Sequence, residues 1–469
     1  MKSMFPKISA SLAALSLAGA PLSMAGDVPA SSPEGKSALM GWLEGDYLLG
    51  TWGGLRTDLK ERGADFELFY FGSLPSNVDG GIKTGTVYQG AVLGVVDLDM
   101  EKLAGLEGGR LFLSSVWLHG EEGFSDEHIG DMNKVNLVDF SNMLRLWEAW
   151  YSQKLLDGKL TVKAGIMSVD RDFIVPEYYN SLSSINFLNQ TFFYPTLAFN
   201  LYQIPDFPYG NHSLPSTPYG ALGVFLKVEP TEGFYVQAAV YEGNPDDSYH
   251  GVDLRLDGSE GALIYAETGF RWNRESGLPG SVKLGGFYHT DEFSDVREGV
   301  SFVVDNRFGL NPPEPGEHDG NYGGYLLAEQ YLWLEEGRGD PAMQGAIGFF
   351  RVAAAPGDRN LTEFGIDGGI VLKGLIPGRD WDTIGLGLSY LKVSGNIADG
   401  VRDVNRNYGT NFETPDYEGL VELSYKAQLT AWWTLQPSVQ WVLHPGGGTA
   451  FDDPPGDAIA FVLQTTLRF

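Results

Sequence analysis

Hydrophobic and polar residues alternate with a period of two along most of the chain. In the last stretch, DAIAFVLQTTLRF, one parity carries Ile459, Phe461, Leu463, Thr465, Leu467 and Phe469, while Ala458, Ala460, Val462, Gln464, Thr466 and Arg468 share the other. Such a period marks a strand with unlike surroundings on its two faces. In 417–430, Tyr417, Val421, Leu423, Tyr425 and Leu429 oppose Glu418, Glu422, Ser424, Lys426, Gln428 and Thr430; in 433–443, Trp433, Leu435, Val439, Trp441 and Leu443 oppose Thr434, Gln436, Ser438 and Gln440.

Sixteen segments read this way: 65–73, 86–100, 108–118, 144–156, 159–168, 219–229, 233–242, 262–273, 281–290, 322–334, 343–354, 363–373, 381–392, 417–430, 433–443 and 457–469. Most have the length that a tilted strand needs to cross a bilayer, about 9–11 residues, rather than the five or six usual in globular sheets. Segments 108–118 and 322–334 carry apolar residues on both parities, so their facing is not fixed by pattern. The connections alternate too. Short ones at 157–158, 230–232, 274–280 and 431–432 take turns with long ones at 119–143, 169–218, 243–261, 291–321 and 393–416. Short turns on one rim and long loops on the other are the habit of outer-membrane barrels.

The expected fold is therefore all-β: a transmembrane antiparallel β-barrel of sixteen strands, with short periplasmic turns and long extracellular loops. A sheet surrounded by lipid must close on itself, because no water is there to take its edge hydrogen bonds, so the last strand must pair with the first. Tyr390, Tyr417, Trp381, Trp433, Trp441 and Phe469 lie near strand ends, where rings suit the membrane interfaces. Polar residues then point into a lumen wide enough for water.

Composition sharpens this picture. Residues 1–25 combine Lys2 and Lys7, an apolar run and a small-residue cleavage site, which predicts a secretory signal and export to the outer membrane of a bacterial cell. Residues 26–63 read as a periplasmic lead with a short helix near Gly53–Gly63, and 64–469 as the barrel. The chain has no cysteine, which excludes disulfides, thiol chemistry and thiolate-held metals. A formal charge of −29 argues against nucleic acid as a partner. The seven histidines show no metal-ligand spacing, and no nucleophile elbow or phosphate-binding loop occurs, so neither catalysis nor a metal or other cofactor is expected.

Several stretches resemble the carbohydrate-selective porins of the OprB type. LLGTWGGLRTDLKERG is similar to that family's opening motif in Trp52, Gly53, Gly54, Leu55 and Arg56. VELSYKAQLTAWWTLQPSVQWVLHPGGG resembles its closing hairpin in Glu422, Tyr425, Pro437, Gln440, Pro445 and Gly446. AGIMSVDRDF with INFLN, and STPYGALGVFL, resemble the flanks of its long loop; Thr51 and the absence of a closing Gly-Leu-Arg depart from the pattern. The resemblance runs from about Leu48 to Phe469 and implies passive diffusion of small neutral sugars through an outer-membrane barrel.

The connection 169–218 is far longer than ordinary loops and is expected to fold inward and narrow the pore. Its candidates for the solute path are Asp170, Arg171, Asp172, Glu177, Tyr178, Tyr179 and Asn180, with Phe187, Asn189, Phe192, Phe193 and Tyr194 further on. From the strands the polar parity adds Lys163, Glu267, Arg271, Asp367, Glu422, Lys426 and Gln428. Sugars suit such a lining because their C–H faces pack on rings while their hydroxyls bond to carboxylates, amides and Arg. A general or cation-preferring porin is the alternative, and an outer-membrane hydrolase is the rival from another class. Outer-membrane lipids are the expected surroundings, with monomer and trimer both open.

Overall fold

The computed structural model describes residues 38–180, 185–193, 215–243, 250–251, 261–274, 277–335, 344–450 and 453–469; the expected signal (1–25) and the first part of the lead lie outside them, as does Tyr194. Sixteen long strands form one closed antiparallel barrel: β1 (Ala64–Gly81), β2 (Gln89–Asp99), β3 (Gly109–Gly120), β4 (Met143–Leu155), β5 (Leu160–Met167), β6 (Ala221–Thr231), β7 (Phe234–Glu242), β8 (Ala262–Trp272), β9 (Gly280–Ser294), β10 (Glu317–Leu334), β11 (Gly345–Ala354), β12 (Thr362–Lys373), β13 (Thr383–Val393), β14 (Tyr417–Thr430), β15 (Trp433–Leu443) and β16 (Gly456–Arg468). Two further two-residue strands, Gly85–Thr86 and His250–Gly251, pair beside β1 and β4. Each wall strand pairs with its sequence neighbours, and β16 closes on β1 from Phe69 opposite Arg468 to Gly81 opposite Gly456. Among the described residues no helix is long and apolar enough to cross a membrane.

Every predicted segment overlaps one wall strand. The largest difference is β1, which runs on past Ser73 through Pro75 to Gly81. Proline and glycine read there as a loop, yet Pro75 needs no donor of its own: it sits opposite Val462, and its carbonyl accepts from Val87 N at 3.1 Å.

The alternation turns into two faces. Along β7, Phe234, Val236, Ala238 and Val240 are exposed while Tyr235, Gln237, Ala239 and Tyr241 are buried. On β16 the large apolar Ile459 and Phe461 face outward; Gln464, Thr466 and Arg468 face in. Exposed Leu226, Leu284, Leu388, Leu423 and Val439 continue the outer apolar band. The expectation that polar residues fill the inward parity fails on β1–β3. There Phe69, Phe71, Ala91, Leu93, Val95, Phe112, Val116 and Leu118 point inside and are buried. The reason is that Leu137, Phe140, Ile185 and Phe193, from two connections folded into the barrel, pack against this side.

One rim carries both ends of the barrel and the shorter connections, among them 156–159, 232–233 and 431–432; the other carries 121–142, 168–220, 243–261, 295–316 and 394–416. Before β1 come α1 (Ala38–Leu43) and α2 (Leu55–Glu61), and α3 (Met100–Ala104) starts where segment 86–100 was expected to end, capped by the Asp99 side chain. Two connections on the long-loop rim, expected as loops, contain helices, α4 (Val296–Arg307) and α5 (Gly395–Tyr408). They bury Val300, Val304, Ile397, Val401 and Val404 against each other and the barrel.

The motif around Trp52 closes the seam. Trp52, Gly53 and Gly54 all have left-handed backbone, which glycine alone adopts freely at the last two positions. This turn swings Arg56 inward, where its guanidinium donates to the carbonyls of Phe469 and Phe66, pairs with Glu67 at 3.1 Å, and lies 3.4 Å from the Tyr47 ring centroid. Arg468 reaches the same Glu67 carboxylate at 2.6 Å from the last strand.

A loop held inside the barrel by carboxylates

The described parts of the connection 168–220, residues 168–180, 185–193 and 215–220, leave β5 and turn into the lumen. Its neck is closed by Asp170, which accepts from Ser168 Oγ, Thr217 Oγ1 and, at 3.1 Å, Thr217 N. Beyond it, inward side chains of successive strands take hold of the loop backbone. Glu267 on β8 accepts from Ile174 N at 2.9 Å while Tyr235, Gln237 and Tyr325 also donate to it. Glu329 on β10 accepts from Glu177 N at 2.8 Å, Tyr178 N at 2.9 Å and Tyr179 N at 3.0 Å. Glu422 on β14 accepts from Leu188 N at 2.7 Å and Asn189 N at 3.0 Å.

Physical chemistry explains the choice of residue. A non-repetitive loop brings backbone N–H groups into a dry interior, where each unpaired one costs on the order of 1–3 kcal/mol. A carboxylate offers two oxygens with about four acceptor sites, and its charge makes each bond stronger. The buried charge is tolerated because it receives several donors at once.

Cations take the loop's acceptors. Lys283 donates to the Val175 carbonyl, and Lys163 pairs with Asp172 between the rings of Trp150 and Phe225. Arg351 binds Asp367 at 2.9 Å and the Thr191 carbonyl. Glu177 is held by Arg271 at 2.8 Å and Lys283 at 3.1 Å, and Arg271 also reaches Glu229 at 2.8 Å. Aromatic packing finishes the seat: Tyr179 stacks on Phe349 with centroids 3.8 Å apart. Gly385 and Gly387 make room for Phe187 and Phe192, since a Cβ at Gly387 would stand 2.4 Å from the Phe192 ring. A second inward connection, 121–142, is anchored in the same way. Glu418 accepts from Met132 N at 2.7 Å and Asn133 N at 3.0 Å, and the two loops meet where Gln190 N donates to the Lys134 carbonyl at 2.9 Å.

The candidate residues thus fall into two groups. Lys163, Asp170, Tyr179, Asn180, Glu267, Arg271, Asp367 and Glu422 are buried and engaged with the loop or its anchors; Asn180 Oδ1, for instance, accepts from Asn186 N at 2.9 Å. Arg171 and Tyr178 keep part of their surface uncovered: Arg171 reaches toward Glu148 at 3.5 Å, and Tyr178 meets Tyr331 edge-on; the side chains of Asp172 and Glu177 are only 2% and 8% exposed and lie against Lys163 and against Arg271 and Lys283. Lys426 stands apart, buried on β14 opposite Thr383, and Gln428 lies near the rim with its N–H on Asp382. Glu329, Lys283 and Arg351 are not among the residues singled out by pattern, and Glu418, on the polar parity of its strand, is not among the solute-path candidates. Glu329 lies in the segment whose facing was ambiguous, and its signal was a lone carboxylate in the parity Tyr325, Leu327, Tyr331.

The family described as "Carbohydrate-selective porin, OprB family" matches residues 83–469. The chain belongs to that family. It is 29% identical over 428 residues to Porin B of Pseudomonas aeruginosa, covering 87% of this chain and 88% of the relative. To the putative porin QuiX of Acinetobacter baylyi it is 25% identical over 432 residues, covering 87% and 90%. The high-pH structure of Pseudomonas putida OprB superposes with a TM-score of 0.76 at 25% identity, covering 91% of this chain and 99% of that one. The protein is therefore an outer-membrane channel of the OprB family, a closed sixteen-stranded antiparallel barrel with an apolar band on its outer face.

Proposed function

We propose that this OprB-family channel passes small neutral sugars by passive diffusion, and that the clamped loop 168–220 sets the width and the selectivity of the path without turnover chemistry. The observation that carries the reading is the fixation of the loop: three wall glutamates, Glu267, Glu329 and Glu422, hold its backbone at separated points. A constriction that selects must keep its shape, and buried charge-assisted bonds keep it.

In this reading Lys163, Asp170, Tyr179, Asn180, Glu267, Arg271, Asp367, Glu422 and Lys426 shape the constriction from behind. Arg171 and Tyr178, which retain uncovered surface, meet the solute, while the carboxylates of Asp172 and Glu177, paired with Lys163 and with Arg271 and Lys283, fix the backbone beside them. Charges of both signs beside one another order water and hinder bulk ion flow while a polyol exchanges hydrogen bonds with them. The short-turn rim, with the chain end and the Arg56 latch, faces the periplasm. Liposome swelling tests the reading: monosaccharides are expected to enter faster than amino acids of like size, and rates that follow size alone refute it. Release of product from ester or glycoside substrates by the purified barrel would favour a hydrolase instead.

A further inference from the structure

One side of the interior differs from the clamped remainder. Ala91, Leu93, Val116 and Leu118 on β2 and β3 form an apolar floor, roofed by residues of the connections 121–142 and 168–220. The space left between them is about 60 Å³ and is open on one side. Two polar side chains border it. Trp147 is the extra residue of a β-bulge: Ser114 pairs with Glu148 and Ser115 with Leu146, so Trp147 leaves the ladder and turns inward. Its indole N–H and the Gln464 Oε1 have no hydrogen-bond partner among the described residues, although the two residues are only 3% and 1% exposed. A donor and an acceptor left unpaired at the edge of a dry pocket point to a ligand group that supplies both.

The size limits what enters. An engineered apolar cavity of roughly 150 Å³ takes a benzene ring; a space less than half as large takes a methyl group and its attached carbon, with the rest of the molecule outside. We propose that this cavity is a subsite for the C6 methyl of a 6-deoxyhexose, with a neighbouring sugar hydroxyl accepting from Trp147 Nε1–H and another donating to Gln464 Oε1. An ordinary hexose would have to bury its 6-hydroxyl against the four aliphatic side chains, at the cost of an unmade hydrogen bond. The inference rests on the sugar-channel reading and narrows it to a preferred class of solute.

The test uses the mature protein in planar bilayers, titrating the ion current with D-fucose against D-galactose and with D-rhamnose against D-mannose, pairs that differ only at C6. Each deoxy sugar is expected to reach half-maximal block at a concentration roughly fourfold or more lower than its hydroxylated partner, the factor that about 0.8 kcal/mol for one buried methyl gives. Ala91→Leu, which fills the floor, is expected to bring each pair to within twofold by removing the advantage of the deoxy sugar. Equal titrations in the unaltered protein, including no block by either sugar, overturn the proposal, and so does a preference that survives Ala91→Leu. Swelling of liposomes made from the same preparation separates the two failures. If sugars still outpace amino acids there, only the deoxyhexose subsite is lost; if they do not, the sugar-channel reading falls first.

Discussion

Replacing Glu329 tests the clamp most directly. Its Oε1 accepts from Tyr178 N and Tyr179 N, its Oε2 from Glu177 N and from Ser281 Oγ, and the residue is 2% exposed. In Glu329→Gln the amide oxygen can keep the first two bonds, but a donor replaces Oε2 and faces the Glu177 N–H. That loses one charge-assisted bond, about 1.5–3 kcal/mol. In Glu329→Ala all three loop N–H groups lose their acceptor, for a nominal cost of roughly 3–9 kcal/mol. The loop will not bear the whole of it, because the segment can leave the wall and hydrate. The cost is therefore capped at the free energy that docks residues 177–180, and a shift of about 3 kcal/mol already changes the docked-to-released ratio by a factor on the order of 100. Single-channel recording reads this ratio. Glu329→Gln should add brief openings to a larger conductance, and Glu329→Ala should spend much of its time there. Glu317→Ala, an exposed carboxylate on the same strand, serves as the control and should leave the trace unchanged. If Glu329→Ala migrates as a folded barrel in gels without heating and yet shows the same conductance and noise as the unaltered protein, the wall glutamates do not hold the constriction.

Gly387→Val should push Phe192 off the wall, where a Cβ has 2.4 Å of room, and so raise conductance noise without unfolding the barrel; a silent trace would show that the loop tip has slack. Arg56→Ala should lower the temperature at which the barrel unfolds in detergent by several degrees, because two carbonyls of the seam lose their donor while Glu67 keeps only Arg468; an unchanged transition would refute the latch. Burial, with Asp139 nearby, pushes the Asp131 carboxyl up to about 7 in the 121–142 connection. Between about pH 4 and that value the folded chain holds a proton that the unfolded chain has lost, so stability falls as pH rises through this range. Asp131→Asn should match the unaltered protein near pH 4 and exceed it in melting temperature near pH 8; a difference that does not change with pH would sink this account.

The wall was legible because its information is local. A period of two, repeated from Phe69 to Phe469 with connections of alternating length, has few solutions once water is absent from one face, and the strand positions followed from it. Two kinds of feature were less legible. Helix α4 is announced by Asp295, whose side chain caps Arg297 N and Glu298 N, and by Val296, Val300 and Val304 at helical spacing; α5 has Ser394, Ile397, Val401 and Val404 in the same places. Those signals are present but sit in connections whose alternating length is the stronger pattern. The partner of an inward residue is another matter. Glu422 was readable as inward, but that it meets the backbone of Leu188 and Asn189, more than two hundred residues away in sequence, depends on the path of a loop that no local pattern encodes.

That difference bears on why the inner face is not uniform. A lumen needs polar walls only where water or a polar loop touches them. Where the backbone of 168–220 passes, its N–H and C=O groups require charged partners, and β8–β11 and β14 supply them. Where the side chains of 121–142 and 168–220 present Leu137, Phe140, Ile185 and Phe193 instead, β1–β3 answer with Phe71, Leu93, Val116 and Leu118. The inward parity of each strand therefore records which aspect of a loop, backbone or side chain, it was built to meet. Glu329 set between Leu327 and Tyr331 shows the rule at its finest grain, with a single carboxylate where three loop amides arrive and apolar neighbours on either side.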